Sequence, residues 1–280
     1  MQFFSPRFVG RGLLAACLYL SALLVMIEST SHSKLKSENI NVELEFPPNI
    51  LKHLNDRNQD KREQAGRDLQ AIVAKNLDKK NLVQIEKILN FFQDNYLRSA
   101  TVANKKTGIE VFVSIVNGFK NHSEEAARLV HRMVLPIVEC FNDTEQRIRY
   151  NAIKSLYYMC KELQGICMLV FNDVFEQLIG KIADFDEQVK DAASLLNNTL
   201  KTIITDSLPN NKQFDMRRFM KILTDKMKAV NPFIRVFLID WINTIDEIPS
   251  VTLLVYLPSF LEDLLVMLSD KEKDVRSKAE

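Results

Sequence analysis

From residue 46 onward, apolar positions recur every three or four residues in blocks separated by short polar turns. Val130, Val134, Ile137, Val138 and Phe141 precede a turn at Asn142-Asp143, and Ile148, Ala152, Leu156, Met159, Cys160 and Leu163 follow it. Such spacing places each set on one stripe of a helix, so the stretch predicts two amphipathic helices joined by a tight turn. The next stretch copies the arrangement, with Phe171, Phe175, Leu178, Ile179 and Ile182 before Asp184, and Val189, Ala193, Leu196, Leu200 and Ile203 after it.

The turns share a skeleton: an Asp, an aliphatic-basic pair five and six residues on, and a small residue at nine. It occurs as Asp143, Ile148, Arg149, Ala152; as Asp184, Val189, Lys190, Ala193; and as Asp270, Val275, Arg276, Ala279. Asp56, Arg62 and Ala65 form a version with Lys61 at the aliphatic place. Two weaker copies fill the gaps, one with Ser99 at the Asp place followed by Lys105 and Gly108, the other with Ala229 there followed by Ile234 and Arg235. The starts at 56, 99, 143, 184, 229 and 270 stand 41 to 45 residues apart, a period typical of paired-helix solenoids. One such unit cannot bury its own apolar stripe, so stability has to come from stacking. The fold expected is all-α, a right-handed α-solenoid of HEAT/armadillo-type helix pairs over residues 46–280, with about six units and the last one truncated.

The skeleton residues are the candidate structural sites. The Asp stands where the first helix gives way to the second, where it can cap free backbone N–H groups and suits the helix dipole. The basic residue six places on can meet the Asp of the adjacent unit. Asp56, Arg62, Asp143, Arg149, Asp184, Lys190, Arg235, Asp270 and Arg276 are thereby expected to form a ladder of ion pairs. Exposed pairs contribute roughly 0–1 kcal/mol each, so the ladder would set register more than stability. Pro48, Pro136 and Pro258 fall in or near first helices, where they would start or bend them.

Composition narrows the function classes. The chain has 280 residues, 46% hydrophobic and 26% charged, with a net charge of +1. Such a chain can bury a large core, and its interspersed signs offer no basic face for nucleic acid. Four His share no metal-ligand spacing, and Gly-rich phosphate loops and Gly-x-Ser-x-Gly elbows are missing. Carboxylate pairs such as Asp184/Asp186 and Asp246/Glu247 fall in turns and read as solvated charges; Trp241 reads as core. Cys140 and Cys160 occupy apolar helical positions and read as buried free thiols. No catalysis, metal or cofactor is expected.

The first 45 residues differ. Arg7 and Arg11 precede sixteen uncharged residues, Gly12 to Ile27, and then small polar residues. That is the form of a signal peptide or short anchor, followed by a polar linker. The three N-x-S/T triplets at Asn121, Asn142 and Asn197 do not decide between compartments.

Beyond the generic repeat, FPPNILKHLNDRNQDKREQA, NLVQIEKILNFF, VLPIVECFNDTEQRIRYNAIKSLYYMCKELQG and FLIDWINTIDEIPSVTLLVYLPSFLEDLLVMLSD occur in order. These segments, with their IDW and YLP details, resemble the N-terminal HEAT-repeat region of the vacuole-morphology scaffold family. The resemblance implies a non-catalytic scaffold that holds the phosphatidylinositol 3-phosphate 5-kinase and its opposing Sac-type phosphatase on the cytoplasmic face of endosome, lysosome or vacuole membranes. It implies control of phosphatidylinositol 3,5-bisphosphate, peripheral membrane association through partners, and self-association through a region beyond residue 280. Two alternatives stand beside it: a generic HEAT-repeat adaptor, and a secreted or membrane-anchored helical-repeat protein if residues 12–27 act as signal or anchor.

Overall fold

The computed structural model describes residues 47–211, 214–249 and 251–280; the signal-like segment and linker assigned to residues 1–45, including Cys17, lie outside them. Six helix pairs follow one another: α1 Pro48–Leu54 with α2 Gln59–Asp78, α3 Leu82–Phe92 with α4 Val102–Asn117, and α5 Ser123–Glu139 with α6 Gln146–Leu163. After these come α7 Phe171–Ile179 with α8 Glu187–Ser207, α9 Met216–Met227 with α10 Pro232–Asp246, and α11 Leu257–Met267 with α12 Lys273–Ala279. Second helices pack on second helices in the order α2, α4, α6, α8, α10, α12, and α3, α5, α7, α9 and α11 stack likewise in a separate layer. This two-layer stacking of consecutive pairs is an α-solenoid.

The apolar stripes explain the stacking. Ile148, Ala152, Leu156, Met159 and Cys160 of α6 are fully buried, as are Val189, Ala193, Leu196 and Leu200 of α8. Each such residue contributes roughly 1.5–3 kcal/mol by leaving water, and neighbouring units supply the cover. The small place of the skeleton has a steric cause in the second unit. A Cβ on Gly108 would stand 2.9 Å from the Tyr96 Cβ and 2.9 Å from a Leu97 methyl, both in the π-helical turn Gln93–Leu97 that extends α3.

Polar groups that enter the core are matched. Trp241 of α10 is fully buried and donates its Nε1–H to Asn197 Oδ1 of α8 at 2.8 Å. Its ring sits among Phe171, Phe175, Phe219 and Phe237 at centroid distances of 5.0 to 6.3 Å, which joins the fourth and fifth units. Between the first and second units, Thr107 donates to Asn55 Oδ1 at 3.1 Å, and Asn55 donates to Tyr96 Oη at 3.4 Å.

One local expectation changes, and two are filled in. Ile182 lies beyond the end of α7 and is only half-buried. Pro136 falls in a first helix, as expected, inside α5, where it removes one intrahelical N–H donor. In the sixth pair Phe260 and Met267 are buried while Leu261, Leu265, Val266 and Leu268 are exposed, because the seven-residue α12 has one buried side chain, Val275.

Candidate protein-docking surface

The skeleton residues come together at the turns between first and second helices. Asp56, Asp143, Asp184 and Asp270 each accept, through Oδ1, the backbone N–H two residues on, at Asn58, Glu145, Asp186 and Glu272, over 2.9 to 3.1 Å. The Asp therefore shapes the turn before the helix and does not cap the helix itself. A cap proper sits two residues later where the sequence has one: Asn58 accepts from Asp60 N, and Asp186 from Gln188 N and Val189 N. Ser99 copies the turn contact through its hydroxyl, accepting from Thr101 N at 3.2 Å.

The basic residues divide by type. Arg149 Nη1 donates back to the carbonyls of Asp143 and Thr144, both at 3.1 Å, while Nε and Nη2 grip Asp184 of the next unit at 3.0 and 2.9 Å. Arg235 makes the same backward contacts, to the carbonyls of Ala229 and Val230, and reaches Asp270 by an Nη2 to Oδ1 hydrogen bond at 3.0 Å, with Nε 2.8 Å from Oδ2 as an ion pair. Arg62 and Arg276 make the backward contacts, to Asp56 and Arg57 and to Asp270 and Lys271. Arg62 has Ser99, not a carboxylate, ahead of it. This double use follows from the planar fork of five donors that only arginine carries. Periodicity shows the basic place but not the second job; Arg at that place in four of six units was the available signal.

Lysine makes one contact or the other. Lys105 reaches forward to Asp143 Oδ2 at 2.5 Å. Lys190 was expected to join the ladder, but it pairs with Glu187 on its own helix at 2.6 Å. The Asp place of the next unit is Ala229, so there is nothing ahead for its charge. Three rungs result, Lys105–Asp143, Arg149–Asp184 and Arg235–Asp270.

These rungs are less exposed than a surface pair. The Arg149 and Asp184 side chains retain 15% and 7% of their accessible area. Burial pushes the Asp184 carboxyl up, but the Arg149 hydrogen bonds and the Asp186 N–H more than offset it and hold its pKa below the usual carboxylate value. Asp143 is likewise lowered, with Lys105 and the Glu145 N–H outweighing burial. The Asp184 contact raises the Arg149 pKa. The rungs are fixed structural parts, largely closed to an incoming ligand.

The accessible chemistry lies on the open side of the second-helix layer. On α6, Lys154 Nζ donates to Tyr150 Oη at 3.1 Å and stands 5.3 Å from that ring's centre; Lys161 Nζ lies 4.5 Å above the Tyr157 ring. Tyr157 and Tyr158 meet edge to face at 5.1 Å. Tyr158 keeps 47% of its surface. The sequence reading missed this group because it followed the apolar stripe and passed over the opposite face. Arg147, Lys154 and Lys161, seven residues apart, with Tyr150 and Tyr157 at the same interval, were the signal. A groove of about 450 Å³ between α2 and α4, lined by Arg62, Glu63, Gly66, Gln70, Glu110 and Ser114, continues the same layer. Among the described residues, no cluster of three or more His, Cys, Asp or Glu is arranged to hold a metal, and no helix is long and apolar enough to cross a membrane. Cys140, Cys160 and Cys167 are buried free thiols. Asn121 and Asn142 are exposed, but Asn197 is buried.

Stacked helix pairs with an uninterrupted second-helix layer define a HEAT/armadillo-type repeat protein. Comparison with known proteins then shows what the chain is similar to. Residues 103–202 match the family described as the Vacuolar 14 Fab1-binding region. The chain is 31% identical over 235 residues to Protein VAC14 homolog of Arabidopsis thaliana, across 84% of this chain and 31% of that protein. It is 28% identical over 265 residues to Vacuole morphology and inheritance protein 14 of Saccharomyces cerevisiae, across 81% of this chain and 30% of that one. The resemblance to the vacuole-morphology scaffold family thus holds over about four-fifths of the chain. The chain spans about a third of the length of the curated relatives it matches. Among solved structures, a designed armadillo repeat protein in complex with a (KR)4 peptide has 14% identity and a TM-score of 0.39, covering 82% of this chain and 95% of that one.

Proposed function

We propose that this chain is the kinase-docking part of a non-catalytic scaffold for the phosphatidylinositol 3-phosphate 5-kinase. The observation that carries the reading is the match of residues 103–202 to a Fab1-binding region. Those residues run from the start of α4 through α5, α6 and α7 into α8. A long, rigid layer of helix faces suits holding another protein and does not enclose a small substrate.

The finer assignments extend from the same resemblance. The scaffold brings the kinase together with its opposing Sac-type phosphatase, controls phosphatidylinositol 3,5-bisphosphate, and reaches endosome, lysosome or vacuole membranes peripherally through its partners. Self-association belongs to sequence outside this chain. Residues 46–280 act as the solenoid, and residues 1–45 as a hydrophobic signal-like segment with a polar linker.

Co-purification with recombinant kinase tests the reading. The chain is expected to retain the kinase on a column through several washes; no retention at any salt concentration overturns it. Phosphoinositide turnover by the purified chain alone would overturn the non-catalytic assignment.

A further inference from the structure

The solvent face of α6 differs in charge from the helices on either side. Arg147, Tyr150, Lys154, Tyr157, Tyr158 and Lys161 fall within an arc of roughly 100° of the helix circumference, opposite the buried stripe of Ala152, Leu156 and Met159. None of the three cations has a carboxylate partner among the described residues. On the two preceding second helices, exposed cations are matched on their own helix: Arg67 with Glu63 on α2, and Lys106 with Glu110 on α4. Only on α6 do tyrosine rings take the place of carboxylates beside the cations.

Resting on the kinase-docking reading above, we propose that this stripe is the contact floor for the kinase and that its occupant is an extended acidic segment of that protein. Charge fixes the sign of the occupant: three positive groups without counter-charges gain most from carboxylates. Lysines over tyrosine rings can accept a carboxylate and keep their ring contact, since the ring faces one side of the ammonium and leaves its other donors free. Length follows from geometry. The stripe runs fourteen residue steps from Arg147 to Lys161, or about 21 Å of helix at 1.5 Å per residue. An extended strand of about six or seven residues spans that distance. Tyrosine supplies contact area at low cost in side-chain entropy, the quality that makes it frequent among residues dominating protein interfaces.

A membrane is the less fitting occupant. The stripe lies on a regular helix packed between α4 and α8, and Tyr150 and Tyr157 are half-buried. Side chains that enter a bilayer from a peripheral protein do so with their apolar bodies exposed, and two of the three tyrosines here are not.

The test uses the full chain and purified kinase. Two variants are compared with the parent: the triple charge reversal Arg147→Glu, Lys154→Glu, Lys161→Glu, and the single truncation Tyr158→Ala at an exposed position, each checked by circular dichroism and thermal melting. The expected result is parental binding that weakens as salt rises, a loss of at least about tenfold in affinity for the triple variant, and a loss of about tenfold for Tyr158→Ala with an unchanged melt. Parental binding with undiminished affinity in a folded Tyr158→Ala and a folded triple variant overturns the stripe and leaves the kinase-docking reading standing. Absence of parental binding overturns both. Sedimentation of the parent, but not of the triple variant, with phosphatidylcholine–phosphatidylserine vesicles, alongside equal kinase affinity, assigns the stripe to a membrane and overturns the acidic segment.

Discussion

Arg149 and Asp184 belong to successive helix pairs and meet through two parallel hydrogen bonds, Nε to Oδ2 at 3.0 Å and Nη2 to Oδ1 at 2.9 Å, while the same guanidinium holds two carbonyls of its own turn. One side chain thus closes the end of a first helix and sets the position of the next unit. Its low exposure also changes its energetic weight, because a shielded bidentate pair loses far more on truncation than a solvated one.

Arg149→Ala is accordingly expected to cost about 2–4 kcal/mol, more than the 0–1 kcal/mol of an exposed pair, since it leaves Asp184 shielded and unpaired and frees two carbonyls. Arg149→Lys should recover part of the loss but not all, as an ammonium cannot serve both sets of acceptors. Leu156→Ala, which opens a cavity in the buried stripe, should cost roughly 2–5 kcal/mol. Urea titrations of the three variants decide the ranking.

The depressed carboxyls make stability depend on acid. For Asp143 and Asp184 the folded pKa lies below the unfolded one, so their contribution is complete above the unfolded value near pH ~4 and is lost as pH falls through the lower folded value. Unfolding free energy should therefore fall between about pH 5 and pH 2, and Asp184→Asn should flatten that slope while lowering the plateau near neutrality. Denaturant midpoints measured across this range check both the sign and the flattening.

Two positions in the ladder lack a carboxylate, Ser99 ahead of Arg62 and Ala229 ahead of Lys190. Ser99→Asp keeps the turn contact that Ser99 makes with Thr101 N and gives Arg62 a forward partner. It should stabilise by about 0.5–1 kcal/mol, and the gain should vanish in an Arg62→Ala background. A double-mutant cycle followed by thermal melting measures it. An unchanged cycle would show that the distance between the two units is wrong for a rung.

Asn197→Ala leaves the buried Trp241 N–H without its acceptor, at a cost of about 1–3 kcal/mol. Trp241 is the single tryptophan of the chain, so its fluorescence reports directly on that environment. Asn197→Asp should be worse than Asn197→Ala, because it places a charge in the same apolar surroundings.

The fold was legible because a solenoid repeats its evidence. Helical spacing around Ile148 and Val189, and the return of the Asp skeleton every 41 to 45 residues, suffice for six helix pairs with their turns in place. The contacts of the skeleton were legible only in part. A spacing rule ranks Lys190 with Arg149, since it registers charge; the geometry separates them, because what lies ahead of Lys190 is Ala229 and because lysine has no fork. The Tyr150–Lys161 face was passed over for a related reason. Its residues obey the same 3.6-residue period as the core, half a turn out of phase, and polar positions out of phase are ordinarily read as solvent-facing filler.

The placing of the three rungs has a mechanical consequence. Lys105–Asp143 and Arg149–Asp184 tie the second, third and fourth units in succession, and the next step, from the fourth unit to the fifth, is held by Lys201–Asp240, Arg218–Asp173 and the Trp241–Asn197 hydrogen bond beside the aromatic cluster. Ion pairs and hydrogen bonds fix the angle between units more closely than apolar packing, which is non-directional. The second to fifth units are thereby pinned one to the next by directional contacts, and residues 103–202 fall within this pinned span. A partner landing there meets a surface already in shape, and little of its binding energy goes into straightening the host.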